Sequence, residues 1–375
     1  MNPFRYGCTV NGDYFCQRKE LSRQLRNFIE SGQNVVIQGE RRMGKTSLVL
    51  ETVGTMRGVA LFHADLLCVR DVADLCRRLA AALCRLENKA GFAEKIARLI
   101  GRLRPTLSID PDNGSPVVSV DTAAANEITS LEVMMDAIMS ETKHRKTCVV
   151  LDEFQDILDM EDGERVIAIL RGRIQLDSDT PYVFLGSVRN RMTDIFWHPD
   201  SPFYHSAAAL PVGEIDHGDF LMFLRGRFAI GKRELSEPVF ERIATLARDT
   251  PGYIQEFCDA IWDVTDEKTT IDESALTRAL STIFSRERDH YEIFIRRLTA
   301  LQMRVLKAIA ETGGREIYSG AFMQRISSFS AGSVKRAVEK LIACGLVFNH
   351  DGEYKFMNPF FAEWLKAPNF IGQPD

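Results

Sequence analysis

The sequence predicts an α/β fold: a parallel sheet covered by helices on both faces, then a helical segment, then a winged helix-turn-helix. Three observations carry this. Short, almost wholly apolar strands alternate with helical stretches as far as residue 212, the pattern of a parallel sheet buried on both sides. The strand signals then stop, and helical stretches run to about residue 297. Finally, three helices and a hairpin with an Asp-Gly turn occupy the last segment, the order of a winged helix. At 375 residues the chain is too long for one small core, and the expected domains are 1–212, 213–297 and 298–375.

Taken in order, residues 1–17 read as an irregular lead-in. "RKELSRQLRNFIESG" places Leu21, Leu25, Phe28 and Ile29 at helical spacing and stops on a glycine. "NVVIQ" is a first strand, "KTSLVLETVGTM" a helix, "GVALFHADL" a second strand and "VRDVADLCRRLAAALCRLE" a long helix. "RPTLSIDPDNGSPVVSVD" interrupts the alternation with two runs around Asp-Asn-Gly, the signature of a β-hairpin. Alternation resumes with the helix "ITSLEVMMDAIMSETKH", the strand "TCVVLDE", the helix "GERVIAILRGRIQL" and the strands "PYVFLGS" and "SAAALPV". The helical segment reads as "DHGDFLMFLRGRFAI", "SEPVFERIATLAR", "PGYIQEFCDAIWDVTD" and "DESALTRALSTIFSRERDHYEIFIRRL". The winged helix reads as "LTALQMRVLKAIAET", "SGAFMQRI", "SAGSVKRAVEKLIACG" and the hairpin "LVFNHDGEYKFMN".

Composition bounds the function. Hydrophobic residues at 45% and charged residues at 26% are ordinary for a soluble globular protein. A net charge of −5 argues against a protein whose main task is coating nucleic acid, so any basic patch must be local. "MNPFRYGCTVNGDYF" lacks the basic and apolar regions of a signal peptide, and no run of eighteen apolar residues occurs. A cytoplasmic location away from the membrane is expected. The eight cysteines form no C-x-x-C pair and read as reduced, mostly buried thiols. The histidines form no H-E-x-x-H, and no internal repeat is evident.

The chemistry concentrates in "VVIQGERRMGKTSLVLE", where Gly39, Gly44, Lys45 and Thr46 take the spacing G-x-x-x-x-G-K-[ST] between a strand and a helix. Such a loop turns backbone N–H groups onto phosphate oxygens, and the following helix N-terminus favours the same anion. Gly39, Glu40, Arg41, Arg42, Met43, Gly44, Lys45, Thr46 and Ser47 are the expected nucleotide-binding residues. Lys45 would reach the β- and γ-phosphates, and the Thr46 hydroxyl would bind Mg2+. The side chains of Arg41 and Arg42 are expected to face outward, solvated or paired with a carboxylate of this chain, because the phosphates contact backbone there; the alternative is that one of them reads the nucleotide state or contacts a neighbouring subunit. In "CVVLDEFQD", Asp152 and Glu153 end an apolar strand, a costly place for two acids unless they work. Asp152 would hold Mg2+ through water, and Glu153 would orient or deprotonate the attacking water, so Glu153 and Lys45 are the catalytic candidates.

"FLGSVRNRM" offers Ser187 and Arg189 as sensor candidates, with Arg191 beyond them. A small residue in a tight turn and solvated surface charges explain these residues as well. In the winged helix, Lys335, Arg336 and Lys340 are candidate DNA contacts. Residues 299–366 hold nine Lys or Arg against six Asp or Glu. A solvated helical face, or docking within the chain or onto a partner protein, is the competing reading.

Together these segments resemble the bacterial and archaeal STAND-type P-loop ATPases (signal-transduction ATPases with numerous domains), close to the AAA+ superfamily and its origin-recognition relatives. The matching stretches are "NPFRYG", "FCQRKEL", "GERRMGKTSL", "VVLDEFQD", "GSVRNRM", "SPFYHSAAALPVGEI", "TPGYIQEF" and "NPFFAEWLK", spread over nearly the whole chain. The resemblance implies a P-loop NTPase sheet of order 5-1-4-3-2, with ATP and Mg2+ bound between the sheet and a helical lid. It implies a switch between a closed ADP form and an open, often homo-oligomeric, ATP form. It also puts Phe15 and Arg18 near the adenine.

Two departures stand out. Where relatives often carry Gly-hydrophobic-Pro in the lid, this chain has Gly252, Tyr253 and Ile254, with Pro251 before the glycine. After "SPFY" come His205 and Ser206 rather than a basic residue, so no trans-acting arginine is assigned. The function expected is an ATP-binding, slowly ATP-hydrolysing molecular switch. The alternative is a nucleotide-regulated DNA-binding protein or loader acting through the winged helix. A small-molecule kinase with the same loop fits less well, because it would need neither Asp152-Glu153 nor a winged helix.

Overall fold

The structure, a computed structural model, describes residues 2–86, 104–109, 116–121, 127–186, 192–326, 329–350 and 352–367. They form two compact units, Thr9–Glu214 and Met1–Cys8 with Ile215–Asp375.

The first unit runs α1 (Lys19–Glu30), β1 (Val35–Gln38), α2 (Lys45–Gly54), β2 (Ala60–Asp65), α3 (Val72–Leu86), β3 (Arg104–Ile109) and β4 (Pro116–Asp121). It continues through α4 (Glu127–His144), β5 (Thr147–Asp152), α5 (Gly163–Gln175), β6 (Tyr182–Gly186), α6 (Met192–Phe196) and β7 (Ala208–Pro211). A 3-10 turn over Phe154–Asp159 links β5 to α5. Strands β2, β5, β6, β1 and β7 lie side by side in that order, all parallel. Counted along the chain without the β3–β4 hairpin, this is 5-1-4-3-2, as the resemblance implies. The hairpin is antiparallel, with Arg104 opposite Asp121.

Every residue of β5 and β6 is buried, which explains why these strands are apolar throughout rather than alternating. Side chains of successive strand residues still go to opposite faces. Val36, Phe62, Leu151 and Phe184 enter one core with Leu75, Leu79, Met134 and Leu170 from α3, α4 and α5. Val35, Ile37, Val150, Val183 and Leu185 enter the other with Leu25 and Ile29 of α1 and Leu48 and Val49 of α2. The register brings Asp65 at the end of β2 level with Asp152 at the end of β5. Gln38, Asp65 and Asp152 thus all stand at the carboxyl ends of their strands.

The second unit holds α7 (His217–Ala229), α8 (Glu237–Ala247), α9 (Pro251–Asp263) and α10 (Glu273–Arg296). The winged helix follows: α11 (Ala300–Thr312), α12 (Gly320–Ile326), α13 (Ala331–Ala343), the antiparallel pair β8 (Val347–His350) and β9 (Glu353–Phe356), and α14 (Pro359–Lys366). Side-chain caps begin several of these helices. Asp216 accepts from Asp219 N–H, Asp272 from Ala275 N–H, and Thr299 with Gln302 forms a capping box. On α9, Tyr253 Oη donates to Met357 O at 2.6 Å, and Phe257 packs on Phe360 with ring centroids 5.5 Å apart. Tyr253, in the stretch Pro251-Gly252-Tyr253, is therefore tied to the turn between β9 and α14. At the amino end, Phe4 packs between Phe228 and Trp262.

Two short helices, α6 and α14, carry no separate sequence signal. α6 has five residues, too few for a 3.6-residue period to register. All eight cysteines are free. Cys16, Cys76, Cys148 and Cys258 are buried, but Cys8, Cys68 and Cys344 are exposed, so the expectation of mostly buried thiols holds for half of them. The exposed three lie outside helices and strands, where no packed face covers them. Among the described residues, no helix is long and apolar enough to cross a membrane.

Candidate functional site

The loop between β1 and α2 is bent by two left-handed residues, Arg42 at φ 65° and Gly44 at φ 79°. Gly44 is the N-cap of α2, so the first turn of that helix (Lys45, Thr46 and Ser47) leaves N–H groups without intrahelical carbonyls. A Cβ on Gly39 would collide with the carbonyl oxygen of Val212, which explains the glycine where the loop leaves the sheet. Met43 is buried beneath the loop, while Arg41 and Arg42 are exposed, as the sequence predicts. Ser47 Oγ accepts from Val10 N–H at 3.1 Å and ties the amino-terminal lead-in to α2.

Lys45 is 7% exposed, and its Nζ donates to Gly39 O and Glu40 O, each at 2.9 Å. Burial pulls its ammonium below the ordinary lysine value, and the charges of Glu153 and Asp152 work against that shift. The residues of "GKT" and "LDE", about a hundred positions apart, therefore lie together.

Asp152 closes β5 and is 7% exposed. Thr46 Oγ1 donates to Asp152 Oδ2 at 2.7 Å, and Glu153 N–H donates to Oδ1 at 3.0 Å. Burial pushes this carboxyl up. The contacts from His63 and Thr46 outweigh burial and hold it below the usual carboxylate range. Glu153 is the first residue beyond the strand and adopts the left-handed conformation, φ 50° and ψ 43°. Non-glycine residues there cost about 1–3 kcal/mol and concentrate at functional sites.

Three further residues complete the cluster. His63, on β2, brings Nε2 within 3.5 Å of Asp152 Oδ2. Gln155 is 3% exposed, and its Nε2 donates to Glu153 Oε2 at 2.7 Å and to Asp156 Oδ1 at 2.8 Å. His63 and Gln155 were not singled out by motif. For His63 the available signal was polarity, since it interrupts the apolar run of β2; Gln155, among Asp152, Glu153 and Asp156, carried none. Arg18 was expected near the adenine. Arg18 is 7% exposed, and its guanidinium donates to Met43 O at 3.1 Å and Gly213 O at 2.8 Å, joining the loop to the segment after β7. Burial lowers its pKa to about 10. Phe15 packs behind the loop with Met43, Leu25 and Leu48.

Ser187, Arg189 and Arg191 lie outside the described residues. Lys335, Arg336 and Lys340 are exposed on α13, and among the described residues none of them forms an ion pair. By contrast, Arg315 pairs with Glu353, and Arg325 with Glu311.

Residues 289–367 match a family model described as a probable winged helix domain. No curated protein matches the chain. Among solved structures, the chain is similar to a Walker-type ATPase of Pyrococcus abyssi, with 18% identity, a TM-score of 0.63, and coverage of 97% of this chain and 100% of that one. It is also similar to the Aeropyrum pernix ORC1 protein solved in complex with DNA, with 14% identity, a TM-score of 0.53, and coverage of 94% and 93%. Identities this low establish shared architecture: the chain has the fold of the P-loop ATPases, with a five-stranded parallel sheet, a helical region and a winged helix.

Proposed function

We propose that the chain is an ATP-binding and ATP-hydrolysing molecular switch of the STAND/AAA+ type. The contact between Thr46 Oγ1 and Asp152 Oδ2 carries the reading, because it joins the phosphate loop to the acidic pair. In this reading Gly39–Ser47 wraps the phosphates with backbone N–H groups. Lys45 leaves its loop carbonyls for the β- and γ-phosphates. Thr46 and Asp152 are hard oxygen donors that suit Mg2+, an ion that keeps several waters and shares its shell with substrate phosphates. When bound, the ion neutralises charge on the phosphates. Glu153 orients or deprotonates the attacking water. Phe15 and Arg18 back the loop, and Ser187 and Arg189, which follow β6 in sequence, are the sensor candidates.

Glu153→Gln is expected to leave ATP binding intact and to slow turnover at least tenfold, on the order expected for loss of a general base. Lys45→Ala should abolish binding. Purified protein that binds no ATP, or that turns over equally fast as either variant, overturns the proposal. Switching is read separately, as mass in solution. A higher mass with a non-hydrolysable ATP analogue than with ADP supports an ATP-driven oligomer, and equal masses refute it.

The exposed cations of α13, which form no ion pair among the described residues, favour one second reading, in which nucleotide sets the affinity of the winged helix for DNA. Absence of duplex binding at low salt would sink it.

A further inference from the structure

We infer that Gln155 is a positioning residue for hydrolysis, holding the Glu153 carboxylate in its working orientation; this rests on the ATPase reading above. Gln155 lies in the 3-10 turn after β5 and is 3% exposed. Both hydrogens of its amide are used, one on Glu153 Oε2 at 2.7 Å and one on Asp156 Oδ1 at 2.8 Å. The orientation of the amide is dictated by chemistry: flipped, its oxygen would face two carboxylates. Asp156 is held in turn, since its Oδ2 accepts from Cys68 N–H at 2.7 Å in the segment after β2. Glu153 thus reaches the segment after β2 through a hydrogen-bonded chain, Glu153–Gln155–Asp156–Cys68.

Two features point to function rather than stability. Gln155 Oε1 is buried and has no hydrogen-bond partner among the described residues. A buried unpaired acceptor is destabilising, and an apolar side chain of the same size would avoid it. The beneficiary of the amide is also specific. Glu153 sits in a left-handed backbone conformation beside Lys45, whose ammonium feels its charge. A flexible carboxylate at that position needs an external donor to select one rotamer, and catalysis is sensitive to displacement of about 1 Å.

The test uses the full-length protein and the near-isosteric variants Gln155→Met and Gln155→Glu, beside Glu153→Gln. Gln155→Met removes the donor while keeping the volume; Gln155→Glu replaces it with a third carboxylate. For Gln155→Met the expected result is a kcat at least fivefold lower, an ATP Kd within twofold of wild type, and a Tm unchanged or raised. Gln155→Glu should be slower still. The double variant with Glu153→Gln should be no slower than Glu153→Gln alone, because residues acting as a unit are not additive.

If Gln155→Met keeps kcat within twofold while Glu153→Gln is slow, the inference fails and the ATPase reading stands. A Tm that falls together with kcat and affinity assigns Gln155 a structural role and also overturns the inference. Wild-type protein without turnover, or an undiminished Glu153→Gln, removes the ATPase reading and this inference with it.

Discussion

Arg18 shows how one buried side chain organises the phosphate loop. It has no carboxylate partner among the described residues, and its charge is satisfied by Met43 O and Gly213 O. Arg18→Met would keep much of the apolar stem but leave both carbonyls without that donor, at a cost of about 1–2 kcal/mol. Urea unfolding should show that loss, together with weaker ATP binding. Arg18→Lys should not restore either, since a single ammonium replaces a planar fork that spans two acceptors. Glu153 and Gln155 follow the same logic: neighbours decide the role of each, and those neighbours are distant in sequence or contribute through the turn geometry. The motif identified Lys45, Thr46, Asp152 and Glu153 because their spacing relative to strand and helix is itself the signal. Gln155 and His63 carry no comparable pattern.

Among the elements, α7 and α8 are joined by a titratable contact. His217 Nδ1 lies 2.9 Å from Glu241 Oε1, and Nε2 lies 2.9 Å from Asp249 Oδ1. Hydrogen bonds to Asp249 and Glu241 raise the His217 pKa above its ordinary 6.5. The charged imidazolium is therefore favoured in the folded state. Its stabilisation is complete below pH 6.5 and is lost as pH rises through the higher folded value. The urea midpoint should fall from pH 6 to pH 8 more in the wild type than in His217→Ala. Equal pH dependence of the two would remove the contact from the account. The solvent exposure of the pair keeps the effect modest. The long helices were legible from a burial period of 3.6 residues, and the strands of the parallel sheet as short, almost wholly apolar runs between them. The short helices α6 and α14 were not, because they are specified by their packing: Phe196 fits against Phe154, Phe184 and Phe203, and Phe361 against Tyr291.

For the whole molecule, charge distribution matters more than net charge. The chain is −5 overall, yet α13 presents Lys335, Arg336 and Lys340 without ion-pair partners among the described residues. Should these cations contact phosphates, each adds roughly 0.9 to the slope of log affinity against log salt. Replacing all three with alanine should then reduce the slope for duplex DNA by about 2–3. An unchanged slope would locate any DNA binding elsewhere on the chain.

The fold class, the order of the strands and longer helices, the phosphate loop and the acidic pair were determined by the sequence alone. Each depends on local spacing: an apolar period, a glycine at a fixed offset, an acid at the end of a strand. Tertiary structure alone decided what those residues touch. The parallel register sets Asp152 level with Asp65, and the packing of α2 beside the sheet sets Thr46 on the Asp152 carboxylate. Burial turns Arg18 into a tie between loop and sheet edge, and the turn after β5 sets the Gln155 amide on Glu153. The physical reason is that these contacts form between segments brought together by the sheet, where burial makes each unpaired polar atom costly, and sequence spacing encodes neither proximity nor burial.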